Sequence, residues 1–282
     1  MALVNLNKML NKAKKGNYAV GAFNIFNIED ISAVLKAAEE TNSPVILMTN
    51  LLAVQHSNMQ DLANIIRRRA QKAKVPVCFH LDHSSTFEIL IEAISKGYSS
   101  VMYDGSMLPY AENVAKTREI VKVAHVLDIS VEAEIGRVGR WKDEKNDCGT
   151  LLSDPEQAAQ FIEDTGIDAC AISIGTIHGM QKQETRIDFL RLKKIKEITR
   201  IPLVLHGSSG VVEEDLKQLG PNGIQKVNVG TYLRRVFTDV LRTELSKNPN
   251  LHCQIQLFKS CMEAVEKEVI NKMNIFGCIG KA

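Results

Sequence analysis

Several short apolar runs in this chain end abruptly on side chains that can move protons or hold a metal. In Val77-Cys78-Phe79-His80-Leu81-Asp82-His83 the run closes on a carboxylate and an imidazole. Buried parallel strands read as near-continuous apolar runs, so polar groups collected at the downstream end of one point to a site rather than to core packing. Taken singly, Asp82 is about as well explained as the cap of a helix starting near Ser85. The recurrence of the pattern shifts that balance. Asn24, Asp104, Glu132 with Glu134, His206 and Asn228 close other such runs, and His178 follows one in a Gly-x-x-His-Gly turn.

Three of the seven histidines, His83, His178 and His206, therefore share one end of the strands. Three imidazoles and an open position make a catalytic divalent-metal site, most often zinc, able to polarise a carbonyl as a Lewis acid. Any one of them alone would more often be structural. Asp82, next to His83, can act as general acid or base on a substrate hydroxyl. Glu132 and Glu134 stand two apart, hence on one face of a strand, and that face is expected inside the barrel. Unpaired carboxylates are costly there, so these two are expected to orient the histidines or, with Asp104, to form an alternate cation site. Asp104-Gly105-Ser106 is also compatible with a plain turn. His80 alternates with Asp82 and can contact the site; His56, His125 and His252 fall in a loop and in helices.

Glycines supply a third component. Gly207-Ser208-Ser209-Gly210 and Asn228-Val229-Gly230-Thr231 follow the last two apolar runs. After consecutive late strands of a barrel, such loops hold phosphate with backbone N–H groups, small hydroxyls and a helix N-terminus.

The elements that must position these groups are legible as an alternation. Apolar runs span 20–24, 45–49, 77–82, 99–104, 130–134, 169–174, 203–206 and 226–229; helical periods span 28–41, 61–74, 86–96, 111–127, 155–165, 189–199 and 213–219. Eight strands separated by helices predict an α/β fold, a (β/α)8 TIM barrel, with extra C-terminal helices at 233–246 and 254–273. An open doubly wound sheet explains the alternation nearly as well. With 282 residues, 45% of them hydrophobic and 24% charged, the chain can bury one large core, and residues 1–282 are expected to form a single domain.

Composition also narrows the partners. The net charge of +2 is spread out, and the only dense basic cluster, Arg67-Arg68-Arg69, lacks interleaved aromatics, which argues against nucleic acid. No apolar leader and no run of about 18 apolar residues is present, so a cytoplasmic protein with no membrane partner is expected. The six cysteines include no Cys-x-x-Cys pair and read as small buried hydrophobes or free thiols.

These residues resemble the class II, metal-dependent fructose- and tagatose-bisphosphate aldolases. The resemblance runs nearly end to end, through Ala22-Phe23-Asn24, His80-Leu81-Asp82-His83, Asp104-Gly105-Ser106, Val131-Glu132-Ala133-Glu134-Ile135-Gly136, Gly175-Thr176-Ile177-His178-Gly179, Leu205-His206-Gly207-Ser208-Ser209-Gly210, Lys226-Val227-Asn228-Val229-Gly230-Thr231 and the closing Phe276 to Ala282. It implies that His83, His178 and His206 bind Zn2+ and that Asp82 is the acid/base on the C4 hydroxyl of a sugar phosphate. Gly179, Gly207, Ser208, Ser209, Asn228, Val229, Gly230 and Thr231 would bind its dihydroxyacetone-phosphate half. The implied reaction cleaves a ketose 1,6-bisphosphate to dihydroxyacetone phosphate and glyceraldehyde 3-phosphate through a zinc-stabilised enediolate. A monovalent cation near the phosphate and a homodimer or homotetramer are implied as well.

Lys226 opens the eighth apolar run, on the side away from the site, which disfavours a lysine Schiff base. Two departures from the family pattern stand out. Gly139-Arg140-Trp141-Lys142-Asp143-Glu144 replaces a loop that usually carries a proton-transferring glutamate, so that either Asp143 or Glu144 substitutes from a shifted position or proton exchange at the enediolate is impaired. Gly230 stands where fructose-specific members tend to have aspartate, which is more similar to the tagatose branch. The alternatives are an aldolase for another phosphorylated keto sugar or keto acid sugar, and a non-catalytic metal- and sugar-phosphate-binding homologue.

Overall fold

A computed structural model of the protein describes residues 3–141 and 150–282. Its barrel strands are β1 (Val20–Asn24), β2 (Val45–Thr49), β3 (Val77–Ser84), β4 (Ser100–Tyr103), β5 (Ser130–Ile135), β7 (Ala169–Ile172), β9 (Leu203–Leu205) and β10 (Ile224–Val229). Two short strands, β6 (Gly139–Arg140) and β8 (Ile177–His178), pair with each other outside it. The eight strands close in the order β1-β10-β9-β7-β5-β4-β3-β2, all parallel. Closure between β1 and β10 settles the choice between a barrel and an open sheet in favour of the (β/α)8 barrel.

The helices are α1 (Leu6–Gly16), α2 (Ile28–Glu40), α3 (Leu51–Ser57), α4 (Met59–Lys72), α5 (Phe87–Lys96), α6 (Tyr110–Val126), α7 (Pro155–Thr165), α8 (Phe189–Ile198), α9 (Glu213–Gln218), α10 (Thr231–Lys247) and α11 (Gln254–Ile275). Their starts are written in the sequence: the Asn27 side chain accepts from the Asp30 N–H, and Asp154 accepts from Gln157 with Pro155 in the first turn. Gly97 and Gly166 end α5 and α7 in left-handed conformation. The helices expected from the sequence omit α1, although Leu6, Met9, Leu10 and Ala13 recur on one buried face, and the seven-residue α3. The Arg67-Arg68-Arg69 cluster lies on α4, where Arg67 and Arg68 are exposed.

Buried strand residues on both faces make the core. Phe79 of β3 stacks on Tyr98 with ring centroids 3.7 Å apart, and the Tyr98 hydroxyl is 2.7 Å from Thr49 Oγ1. Each fully buried side chain of this size contributes about 1.5–3 kcal/mol. Cys78, Cys170, Cys261 and Cys278 are buried free thiols, and burial pushes the Cys78 thiol up to about 12. Among the described residues no helix is long and apolar enough to cross a membrane.

One local irregularity shapes the site. Successive strand residues normally face opposite sides, yet β3 shifts register against β4 between Leu81 and Ser84, and His83 has φ of 48°. The bulge lets the adjacent Asp82 and His83 serve the same end of the barrel. A non-glycine residue in that region is strained, and here the strain sits at the polar cluster.

Candidate active site

The downstream ends of the strands bring the three imidazoles together. His83 comes from the bulge of β3, His178 from β8, and His206 directly follows β9. Their ring centroids stand 4.6 Å apart for His83–His206, 5.1 Å for His83–His178 and 5.8 Å for His178–His206. One ligand nitrogen from each ring lies within 4.8 Å of the other two. The sequence places His178 in a turn; in the structure it is held on a short strand by β6, and its carbonyl accepts from the Trp141 N–H at 3.0 Å.

Carboxylates behind the rings determine which nitrogens face inward. Asp104 Oδ2 is 2.7 Å from His83 Nδ1, and Glu132 Oε1 is 2.9 Å from His206 Nε2. A carboxylate accepts, so those nitrogens donate. The remaining ones, His83 Nε2 and His206 Nδ1, then meet at 2.8 Å as two acceptors. Such a pair calls for a cation between them, either a proton or a metal ion. Asp104 is itself anchored, its Oδ1 accepting from the Ser106 N–H at 3.2 Å and from its hydroxyl at 2.7 Å.

Burial disfavours the imidazolium at His83, but Asp82 and then Asp104 outweigh it and raise this group to about 9. Burial and the neighbouring His83 hold His178 and His206 well below the usual imidazole range. Burial opposes the Asp104 charge too, yet the hydrogen bond from His83 keeps the carboxyl well below its ordinary range. Glu134 is pushed up to about 8 by burial and then by Asp104. Its Oε1 accepts from the Val138 N–H at 3.0 Å, while Oε2 is buried without a hydrogen-bond partner among the described residues, 3.8 Å from His206 Nδ1. Glu134, Asp104 and His83 make a second group that could hold a cation.

Asp82 is buried on the opposite flank. Asn24 Nδ2 donates to its Oδ2 at 2.9 Å and Asn228 Nδ2 to its Oδ1 at 3.0 Å. Burial opposes its charge, but His83 and then Lys226 and His206 lower its pKa below the ordinary value. Both oxygens are thus oriented by amides from the two strands that close the barrel.

The expected phosphate loops also gather here. Gly207 and Gly179 adopt left-handed conformations, with φ of 68° and 80°. Ser208 is buried in a one-turn 3-10 helix, its hydroxyl donating to the Asn228 carbonyl, and Ser209 is half-buried beside it. The Val229 side chain is in the core, and Thr231 Oγ1 accepts from Arg234 at 3.2 Å. Gly230 offers no side-chain cap to α10, and among the described residues no side chain caps the first turn of this 17-residue helix.

Sequence reasoning misses three relationships. It does not reveal that the Asn228 amide donates to Asp82. It identifies Asn24 only as a strand end. It puts Lys226 on the side away from the site, but β10 begins at Ile224 and the buried Lys226 ammonium reaches within 2.8 Å of Glu132. Polar residues at the downstream ends of β1 and β10, Asn24 and Asn228, are the available signal for the Asp82 cradle, although in register Asn228 lies opposite Ala22. His80 lies beneath the site, its Nδ1 2.8 Å from Ser100 Oγ. Asp143 and Glu144 lie outside the described residues.

A closed parallel barrel with three imidazoles and a cradled acid at the downstream strand ends is the arrangement of a metal-dependent barrel enzyme. Comparison with known proteins narrows the class. The family model described as fructose-bisphosphate aldolase class-II matches residues 4–281. A fructose-bisphosphate aldolase of Geobacillus stearothermophilus is 40% identical over 285 positions, covering 100% of this chain and 99% of that protein. Among solved structures, the YdjI aldolase of Escherichia coli K12 is 34% identical with a TM-score of 0.88, covering 99% of each chain. A putative fructose-1,6-bisphosphate aldolase of Coccidioides immitis is 29% identical with a TM-score of 0.89, covering 98% of this chain and 97% of that one. The chain belongs to the class II fructose-bisphosphate aldolase family. It is a carbon–carbon lyase of a generally metal-dependent family, cleaving a bisphosphate ketose.

Proposed function

We propose that this aldolase is zinc-dependent and cleaves a ketose 1,6-bisphosphate of the tagatose or fructose type to dihydroxyacetone phosphate and glyceraldehyde 3-phosphate. His83, His178 and His206 are the zinc ligands, Asp82 is the acid/base, and Asp104, Glu132 and Glu134 orient the ligands, with Asp104 and Glu134 also available to an alternate cation position. The observation that carries the reading is the 2.8 Å approach of His83 Nε2 and His206 Nδ1, each ring fixed from behind by a carboxylate. Three imidazoles with a carboxylate-backed outer layer suit zinc chemically.

A bound divalent ion supplies Lewis-acid polarisation of the ketose carbonyl. The protein's own groups do the rest. Asp82, oriented by Asn24 and Asn228, takes the proton of the C4 hydroxyl as the bond between C3 and C4 breaks. The electron pair passes to the dihydroxyacetone-phosphate half, which takes up a proton at C3 to complete that product, and the aldehyde leaves as glyceraldehyde 3-phosphate. In the synthetic direction Asp82 returns the proton. Gly179, Gly207, Ser208, Ser209, Asn228, Val229, Gly230 and Thr231 frame the phosphate pocket, the N-terminal end of α10 supplying N–H donors.

A monovalent cation beside the phosphate, a homodimer or homotetramer and a cytoplasmic location belong to the same reading. A coupled assay comparing fructose 1,6-bisphosphate with tagatose 1,6-bisphosphate tests it. Turnover of either supports the reading, and the higher kcat/KM assigns the epimer. No turnover of either by zinc-loaded protein would overturn it.

A further inference from the structure

Beneath the imidazoles lies a group of buried polar side chains that the reaction does not use directly: Lys226, Glu132 and His80, all fully buried. The Lys226 ammonium sits 2.8 Å from Glu132 Oε2 and 3.1 Å from Oε1, with hydrogen-bond geometry to Oε1 only. Oε1 is also the atom that accepts from His206 Nε2 at 2.9 Å. His80 waits on the other side: its Nε2 lacks a hydrogen-bond partner among the described residues and stands 3.7 Å from Glu132 Oε2.

We propose that Lys226 is a positioning residue for the metal centre: by bridging the Glu132 carboxylate it aims Oε1 at His206 Nε2 and so presents His206 Nδ1 to His83 and His178. The inference rests on the reading that these three imidazoles hold a metal ion. A carboxylate on a flexible side chain has two candidate imidazole donors here, His206 and His80, one near each of its oxygens. The ammonium, touching both oxygens, selects the orientation that serves His206. It also matches the charge that Glu132 would otherwise bury alone, a state far costlier than the pair. His206 Nε2 then has a fixed acceptor, which fixes the ring as the Nε2–H tautomer with the Nδ1 lone pair directed at the shared point. Carboxylate partners of ligand histidines typically change metal affinity about 10- to 100-fold when lost. Lys226 acts one step further out, through the same carboxylate.

The test compares native protein with Lys226→Met and the double variant Lys226→Met/Glu132→Gln, using two readouts. Imidazole 15N spectra of metal-stripped protein report the His206 tautomer, and competition with a chromophoric chelator gives the zinc Kd. A single Nε2–H tautomer is expected in the native protein. Lys226→Met should show mixed tautomers and a zinc Kd weakened about 10- to 100-fold. Lys226→Met risks unfolding because it strands a buried carboxylate; the double variant removes both charges, and the amide it introduces at position 132 can turn either way. It should keep a near-native melting temperature with the same tautomer mixing and the same loss of zinc affinity. A pure Nε2–H tautomer with native zinc Kd in folded Lys226→Met, or in the double variant if the single one does not fold, would overturn the proposal. Zinc binding that survives His206→Ala would count instead against the metal reading, and the tautomer comparison in stripped protein still decides the role of Lys226.

Discussion

The side-chain amide of Asn228 donates to Asp82 Oδ1 at 3.0 Å across 146 residues of sequence, and Asn24 completes the cradle on Oδ2 at 2.9 Å. Hydrogen bonds to a charged group contribute about 1.5–3 kcal/mol, so losing either amide should lower kcat about 10- to 100-fold. Asn24→Ala and Asn228→Ala, assayed at saturating substrate beside circular dichroism, check this. Native kcat in both folded variants would mean that Asp82 needs no orientation.

Gly230 protects that cradle. A Cβ built there would overlap Asn24 Oδ1. Gly230→Ala should therefore displace the Asn24 amide and lower kcat in the same direction. Because both changes act through one hydrogen bond, Gly230→Ala combined with Asn24→Ala should be little worse than Asn24→Ala alone. Multiplying losses in the double variant would show that Gly230 acts elsewhere.

Gly207 spaces two of the imidazoles. It follows His206 in left-handed conformation, and a Cβ would stand 2.9 Å from the Ile177 carbonyl, one residue before His178. Gly207→Ala should destabilise the fold by roughly 1–2 kcal/mol from the backbone alone, read as a lower melting temperature. It should also weaken zinc binding by pushing the His178 and His206 segments apart. Unchanged zinc affinity would show that this spacing is not critical.

Asp30 gives a pH signature of its own. In the first turn of α2 its Oδ2 accepts from the Phe26 N–H at 3.0 Å, and burial pushes its carboxyl up to about 6. The folded carboxyl keeps its proton where the unfolded chain has lost it. Its contribution to stability is thus fully present below about pH 4 and is lost as the pH rises through about 6. Asp30→Asn retains an acceptor for Phe26 and removes the titration, so it should raise stability at pH 7 by about 1 kcal/mol relative to native, a partly exposed group having been discounted. Melting curves on either side of that transition, in acid and at neutral pH, measure it; an equal effect under both conditions would contradict the assignment.

Much of the fold is legible because each barrel strand is buried on both faces and reads as an apolar run, as β2 does from end to end. The downstream clustering of Asp82, His83 and His206 is legible for the same reason: polar residues gather where the run ends. The bulge at Asp82 and His83 is not, since register depends on the neighbouring strand. Nor is the Lys226–Glu132 pair, because linear order says nothing about how far a long side chain reaches along a barrel interior. The roles of the Asn24 and Asn228 amides are hidden for a related reason: strand-end asparagines look alike whether they face a ligand or a catalytic carboxylate, until β1 pairs with β10.

The most direct measurement strips the protein of metal and follows ketose-bisphosphate cleavage while zinc is titrated back. Activity should be absent at the start, rise with added zinc and saturate near one ion per chain. His206→Ala should stay inactive throughout while remaining folded. Full cleavage by exhaustively stripped native protein would contradict the account.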